Sequence, residues 1–191
     1  MATITVVMID GVADWETGVV LPAAREWFGD EVRIAAIDGA PLTSIGGLRI
    51  HPQAALADLD PLADGLWLLP GSDRWRDGEI PALSRALRSR MEAGLPLAAI
   101  CGATVALGHA GLLDARPHTS NSLAFLRDNV PGYAGAGRYR EAKVVAEGGL
   151  VTAPGTSPVG FACECLRVLH PEQGEAIAQV RAMFAGEFET G

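Results

Sequence analysis

The chain has 191 residues, 49% hydrophobic and 20% charged, with a formal net charge of −8 and a pI of about 4.9. That length suits one domain with a full core, and the acidic balance argues against nucleic acid or an anionic membrane surface as a partner, since both want a basic face. No apolar run approaches the ~20 residues of a membrane span, the first residues carry no secretion signal and three cysteines imply no disulfide framework, so a cytoplasmic protein is expected.

Ile4 to Ile9 is a continuous β-rich apolar run, the pattern of a strand buried on both faces. Asp10-Gly11 breaks it, and Glu16 to Phe28 reads as one helix with Asp14 as N-cap. Val32 to Ile37 is a second strand. Leu42 to Ile50, with Gly46-Gly47 inside it, predicts a small hairpin. Leu66 to Leu69 is a short strand that runs into the turn Pro70-Gly71-Ser72. Ile80 to Glu92 is a helix with Pro81 in its first turn, where a missing N–H costs little.

Leu97 to Ile100 forms the next strand, Cys101-Gly102 the turn after it, and Ala103 to Ala110 a small-residue helix. His118-Thr119-Ser120 reads as extended and Leu123 to Asn129 as a helix. Tyr139 to Ala146 and Leu150 to Ala153 read as strands around Glu147-Gly148-Gly149. Thr156 to Leu169 and Glu172 to Phe184 are the last helices. Strands alternating with helices predict a mostly parallel sheet covered on both faces. One domain over residues 1–186 and a frayed tail over 187–191 complete the expectation.

The stretch Leu97-Ala-Ala-Ile-Cys-Gly-Ala-Thr-Val-Ala-Leu107 carries the most chemistry. An apolar strand ends at Cys101 and a helix starts at once, with small Gly102 and Ala103 in the crowded turn. This is the layout of a nucleophile elbow. A helix N-terminus favours negative charge, so a thiol there is expected to ionise more readily than a free cysteine and to act as a nucleophile. From spacing alone, a buried core cysteine is as good a reading. The strand–Cys–Gly–helix context favours the reactive one, because open α/β sheets bind ligands at the carboxyl ends of their strands.

Ala99-Ile-Cys-Gly-Ala-Thr104, Ala110-Gly-Leu-Leu-Asp114 and His118-Thr-Ser-Asn121 together resemble the DJ-1/PfpI superfamily, within the class I glutamine-amidotransferase-like group. Asp14-Trp15-Glu16, Leu69-Pro-Gly-Ser72, Gly149-Leu-Val-Thr-Ala153 and Gly155-Thr-Ser-Pro158 extend the likeness over nearly the whole chain. The resemblance implies a flavodoxin-like, doubly wound α/β fold with the nucleophile elbow at Cys101. It implies that Glu16, by itself an ordinary helix-start glutamate, holds a proton against the Cys101 sulfur, so that the two titrate as a unit.

It also implies an oxyanion hole from the backbone of Gly71, Ser72 and Gly102, with a serine at a place where the family commonly has a second glycine. His118 falls on a histidine often near the cysteine in relatives with the His-Thr-Ser-Asn motif, as general base or carbonyl polariser. The bland alternative is a hydrogen-bonded structural histidine. The peptidase-like branch carries histidine directly after the cysteine; Gly102 stands there, so a non-peptidase branch is expected. Arg74 and Trp75 follow the Gly71 turn and are candidates to bind substrate, Arg74 through a carboxylate.

Other signals carry little. Cys163 and Cys165 point in different directions from one helix and make a poor metal pair, one expected in the core and one partly exposed. His51, His109 and His170 lack ligand spacing, and Gly132 to Gly137 lacks the setting of a phosphate loop. No metal or organic cofactor is implied. The leading expectation is a cysteine-dependent enzyme, hydrolase or lyase, acting on a small carbonyl or amide-like compound, glyoxalase, deglycase or hydrolase in type. The alternative is a thiol redox sensor or stress protein without turnover, since an exposed thiolate oxidises to sulfenic or sulfinic acid. A glutaminase-like module is the lesser reading, because His170-Pro171-Glu172 follows a helix. The family resemblance further implies a homodimer.

Overall fold

The computed structural model describes residues 1–185, so the expected tail over 187–191 lies outside the described residues. Seven strands make one sheet in the order β5-β2-β1-β6-β7-β9-β8. They are β1 (Thr3–Met8), β2 (Glu31–Ala36), β5 (Ala54–Ala55), β6 (Leu66–Leu69), β7 (Leu97–Ile100), β8 (Val145–Glu147) and β9 (Leu150–Ala153). All pairs are parallel except β8 with β9, which fold back through Gly148-Gly149. The hairpin expected at 42–50 is present as β3 (Leu42–Thr43) and β4 (Arg49–Ile50), outside the main sheet. This is the mostly parallel, helix-covered sheet that the pattern of elements predicts, in the doubly wound, flavodoxin-like form that the resemblance implies.

Alternation along the strands builds two cores. Ile4, Val6, Leu66, Leu68, Ala98 and Ile100 point to one face, where α2 (Val20–Trp27), α6 (Pro158–Leu169) and α7 (Gly174–Ala185) cover them. Val7, Trp67, Leu69, Leu97 and Ala99 point to the other face, against α3 (Pro81–Glu92), α4 (Thr104–His109) and α5 (Leu123–Asn129). A strand buried on both faces has no polar side to show, which is why these segments read as unbroken apolar runs. Among the described residues no helix is long and apolar enough to cross a membrane.

The helix expected over 16–28 is two: α1 (Asp14–Thr17) and α2. Pro22 has no N–H to give the carbonyl of Gly18, so the ladder breaks there and restarts with Pro22 in the first turn of α2. Ala13, not Asp14, is the N-cap. The Asp14 carboxylate instead accepts the Gly46 N–H at 2.7 Å and ties α1 to the hairpin. The strand expected over 139–146 shrinks to β8, and Tyr139 makes only an isolated bridge to His118. Cys163 and Cys165 are both buried, neither partly exposed.

Arg90 on α3 is a buried arginine with no carboxylate contact. Its guanidinium donates to the carbonyls of Pro61 (2.9 Å), Ala63 (2.9 Å) and Gly65 (2.5 Å) and lies 4.9 Å over the Trp67 ring. Burial pushes its pKa down to about 10, with Asp60 and Asp64 pulling the other way. It fixes the loop that enters β6. Arg90→Met keeps the apolar stem but leaves those carbonyls unmatched, and is expected to lose about 3 kcal/mol in urea denaturation. A loss under 1 kcal/mol would mean the loop holds itself.

Candidate active site

β1 and β6 are neighbours whose chains leave the sheet to opposite sides, and the crevice at such a switch point is where this architecture takes ligands. Three strand exits converge there: Asp10-Gly11 after β1, Pro70-Gly71-Ser72 after β6 and Cys101 after β7. Cys101 has φ 60°, the only positive φ at a non-glycine residue among those described. A left-handed conformation costs an ordinary residue on the order of 1–2 kcal/mol. The surroundings hold it: Thr104 Oγ1 donates to the Cys101 carbonyl at 2.7 Å and meets Ser120 Oγ at 2.7 Å. The side chain is thereby lifted off the sheet and half-buried, at the mouth of a cavity of about 300 Å³. The elbow inferred from sequence is present.

Glu16 is fully buried beside it. The Gly71 N–H donates to Glu16 Oε2 at 2.5 Å. Oε1 has no hydrogen-bond partner, and it borders the same space as the sulfur: a methyl placed on Gly155 would lie 2.8 Å from Cys101 Sγ and 3.1 Å from Glu16 Oε1. Burial pushes the Glu16 carboxyl up to about 7, against the pull of the Gly71 N–H and the thiol. A proton on this carboxyl costs least on Oε1, because Oε2 already accepts the Gly71 N–H.

The thiol itself departs from expectation. Burial pushes the Cys101 pKa up; the Asn121 amide pulls it down; the charge on Glu16 and its hydrogen bond push it up; and the Gly102 N–H pulls it down. The balance is upward, so this cysteine does not ionise freely as the elbow alone predicts.

The other expected residues divide. Gly102 directs its backbone N–H at the Cys101 sulfur. Gly71 does not qualify as a donor, because its N–H is spent on Glu16; its part is closeness, since a methyl there would sit 2.7 Å from Glu16 Oε2 and 2.8 Å from Cys101 Cβ. Ser72 lines the cavity, but its hydroxyl donates to the Asp10 carbonyl at 2.6 Å and caps the turn at Arg74 N. Arg74 borders the cavity while paired with Asp77 at 3.2 Å. Trp75 is not a substrate contact: it is 2% exposed and its indole donates to the Pro70 carbonyl at 2.8 Å.

His118 is likewise corrected. It is fully buried, with Nδ1 2.8 Å from the Arg116 carbonyl and Nε2 2.5 Å from the Tyr133 hydroxyl, and it lines none of the cavities at Cys101. With both nitrogens engaged and burial pushing its pKa down, it is a structural histidine between Tyr133 and Tyr139. His170 pairs with Asp30 at 2.7 Å, where the chain enters β2. Among the described residues no cluster could hold a metal ion.

Three residues given no role from sequence complete the site. Asn121 Nδ2 donates to Cys101 Sγ at 3.3 Å, and its Oδ1 accepts the Gly155 N–H at 3.0 Å, which fixes the amide's orientation. Trp15 lines the cavity and donates its indole N–H to the Gly155 carbonyl at 3.0 Å. Gly155 leaves room for the sulfur. Each stands in a motif that carried the family resemblance, which was the only signal for it. Gly155→Ala is expected to slow alkylation of Cys101 by iodoacetamide at least tenfold while leaving the fold intact, because the methyl meets sulfur at 2.8 Å. An unchanged rate would mean the sulfur is not confined there.

A family model described as the DJ-1/PfpI family matches residues 2–168. The chain is 32% identical over 164 residues to the "Uncharacterized protease YoaZ" of Bacillus subtilis, covering 82% of this chain and 78% of that protein. It is 31% identical over 154 residues to the "Deglycase TK1284" of Thermococcus kodakarensis, covering 78% and 88%. Among solved structures, the DJ-1 superfamily protein Atu0886 of Agrobacterium tumefaciens superposes with a TM-score of 0.91 at 36% identity, over 99% of this chain and 100% of that one.

Proposed function

Since the chain belongs to the DJ-1/PfpI family, we propose that it is a cysteine-dependent enzyme acting on a small carbonyl compound, of glyoxalase or deglycase type. The observation that carries this reading is the placement of Cys101 beside the buried carboxyl of Glu16, with both residues lining one cavity of about 300 Å³. Glu16, pushed up to about 7, is poised to take a proton and to give one near neutral pH.

The steps follow for a 2-oxoaldehyde. Glu16 as carboxylate takes the thiol proton while sulfur adds to the aldehyde carbon, and the proton passes to the new oxygen, giving a hemithioacetal. The Gly102 N–H and the Asn121 amide face the oxygen as charge develops on it. Glu16 then moves the proton from the hemithioacetal carbon to its neighbour through an enediol, leaving a thioester. Water hydrolyses the thioester to a 2-hydroxy acid and frees the thiol. Methylglyoxal and water thus become lactate, with no oxidant consumed.

The peptidase-like branch of the family carries histidine directly after the cysteine, where this chain has Gly102, and no histidine is among the described residues lining the cavities at Cys101. That favours the non-peptidase branch for this chain. The test is lactate formation from methylglyoxal, with kcat/KM rising through about pH 7 as Glu16 ionises, and with no turnover in Cys101→Ser. If wild type leaves methylglyoxal untouched while mild peroxide adds two oxygens to Cys101, the redox-sensor reading replaces this one.

A further inference from the structure

Cys101 opens on a second cavity of about 900 Å³, which shares Trp15, Cys101 and Asn121 with the smaller one. The two differ in charge. The smaller cavity is bordered by Asp10, Glu16 and Asp73. The larger is walled by Trp15, Val144, Val159 and Phe184, carries Lys143 and Arg181, and includes no carboxylate among the described residues that line it. In a chain with 23 acidic and 15 basic residues, two cations and no acid among the described lining residues depart from the background composition. Lys143 is also the only lysine in the chain. Neither cation has a carboxylate within 4.0 Å among the described residues, whereas Arg74, Arg76, Arg140 and Arg167 do.

We infer that the larger cavity is a substrate subsite for an apolar body ending in an anionic group such as a carboxylate, with Lys143 and Arg181 receiving the charge and the reactive carbonyl lying at Cys101. The inference rests on the carbonyl-chemistry reading above and names its substrate class: aryl or branched-alkyl 2-oxoaldehydes that bear an acid. The apolar wall gives burial to the body. The cations offset the repulsion that a protein of charge −8 exerts on an anion.

The test uses two thiol alkylators of one shape, phenacyl bromide and 4-carboxyphenacyl bromide, so that it does not depend on turnover. The readout is the ratio of their second-order rates at Cys101, anionic over neutral, located by mass spectrometry and normalised to the same ratio for free cysteine. A ratio cancels any change in thiol reactivity. Wild type is expected to favour the anionic reagent severalfold. Lys143→Gln with Arg181→Gln should lower the ratio about tenfold. The control Arg49→Gln with Arg85→Gln removes the same charge from residues lining neither cavity and should change the ratio less than twofold. An unchanged ratio in the first variant, or an equal fall in the control, would overturn the subsite. A preserved preference with methylglyoxal untouched would support the subsite and remove the turnover reading alone.

Discussion

Glu16→Gln is expected to yield a protein that is more stable than wild type at pH 8 and nearly inactive. The native carboxyl titrates at about 7 against an ordinary 4.5. A raised native pKa means that folding favours the protonated form. The carboxyl therefore costs nothing below about pH 4.5, and the cost accumulates as pH rises through 7, to about 3 kcal/mol. Glutamine is neutral throughout and keeps the contact with the Gly71 N–H through its amide oxygen. Its stability advantage should appear between pH 4.5 and 8 and vanish at pH 4, as read by urea denaturation at each pH. Turnover should fall about 10³-fold, because an amide cannot carry the proton between carbon and oxygen. An equal stability difference at pH 4 and pH 8 would mean that Glu16 is not the group whose ionisation burial opposes.

Asn121→Asp should have an effect of similar size by the opposite route. The amide donates to Cys101 Sγ at 3.3 Å and is held in that orientation by the Gly155 N–H. Aspartate keeps the contact with Gly155 and puts a negative charge where the donor stood. Two like charges about 3–4 Å apart at an effective dielectric near 20 repel by about 4 kcal/mol, so alkylation of Cys101 at pH 7.5 should drop on the order of 10²–10³-fold. Asn121→Ala, which loses the donor without adding charge, should fall between that variant and wild type. Equal rates in all three would show that the amide does not act on the sulfur.

The central strands were plain in the sequence because each is buried on both faces: Ile4 to Ile9 and Leu97 to Ile100 have no polar side to confuse the pattern. The elbow was legible for a related reason, since only Cys101 and Gly102 separate a strand from a helix. What misled were contacts set by tertiary placement. Trp75 and His118 are residue types that serve at active sites, and they lie near cavity residues in sequence. The Pro70 carbonyl claims the one, and Arg116 with Tyr133 claims the other. The Gly71 amide was assigned to substrate, but a carboxyl 55 residues upstream reaches it first. Asn121 and Gly155 were invisible as site residues because a side-chain amide and a missing side chain act here only through proximity to sulfur. The break in the first helix was foreseeable from Pro22 but was masked by good helix formers on either side.

The rate of iodoacetamide alkylation at Cys101 between pH 5 and 10, in wild type and Glu16→Gln, bears most directly on the pairing of the thiol with Glu16. Removing the carboxylate that opposes sulfur ionisation should shift the glutamine variant's curve to lower pH and make it react faster at pH 8. Two superimposed curves would show that Glu16 does not act on the sulfur, and a shift to higher pH would contradict a carboxylate that opposes its ionisation.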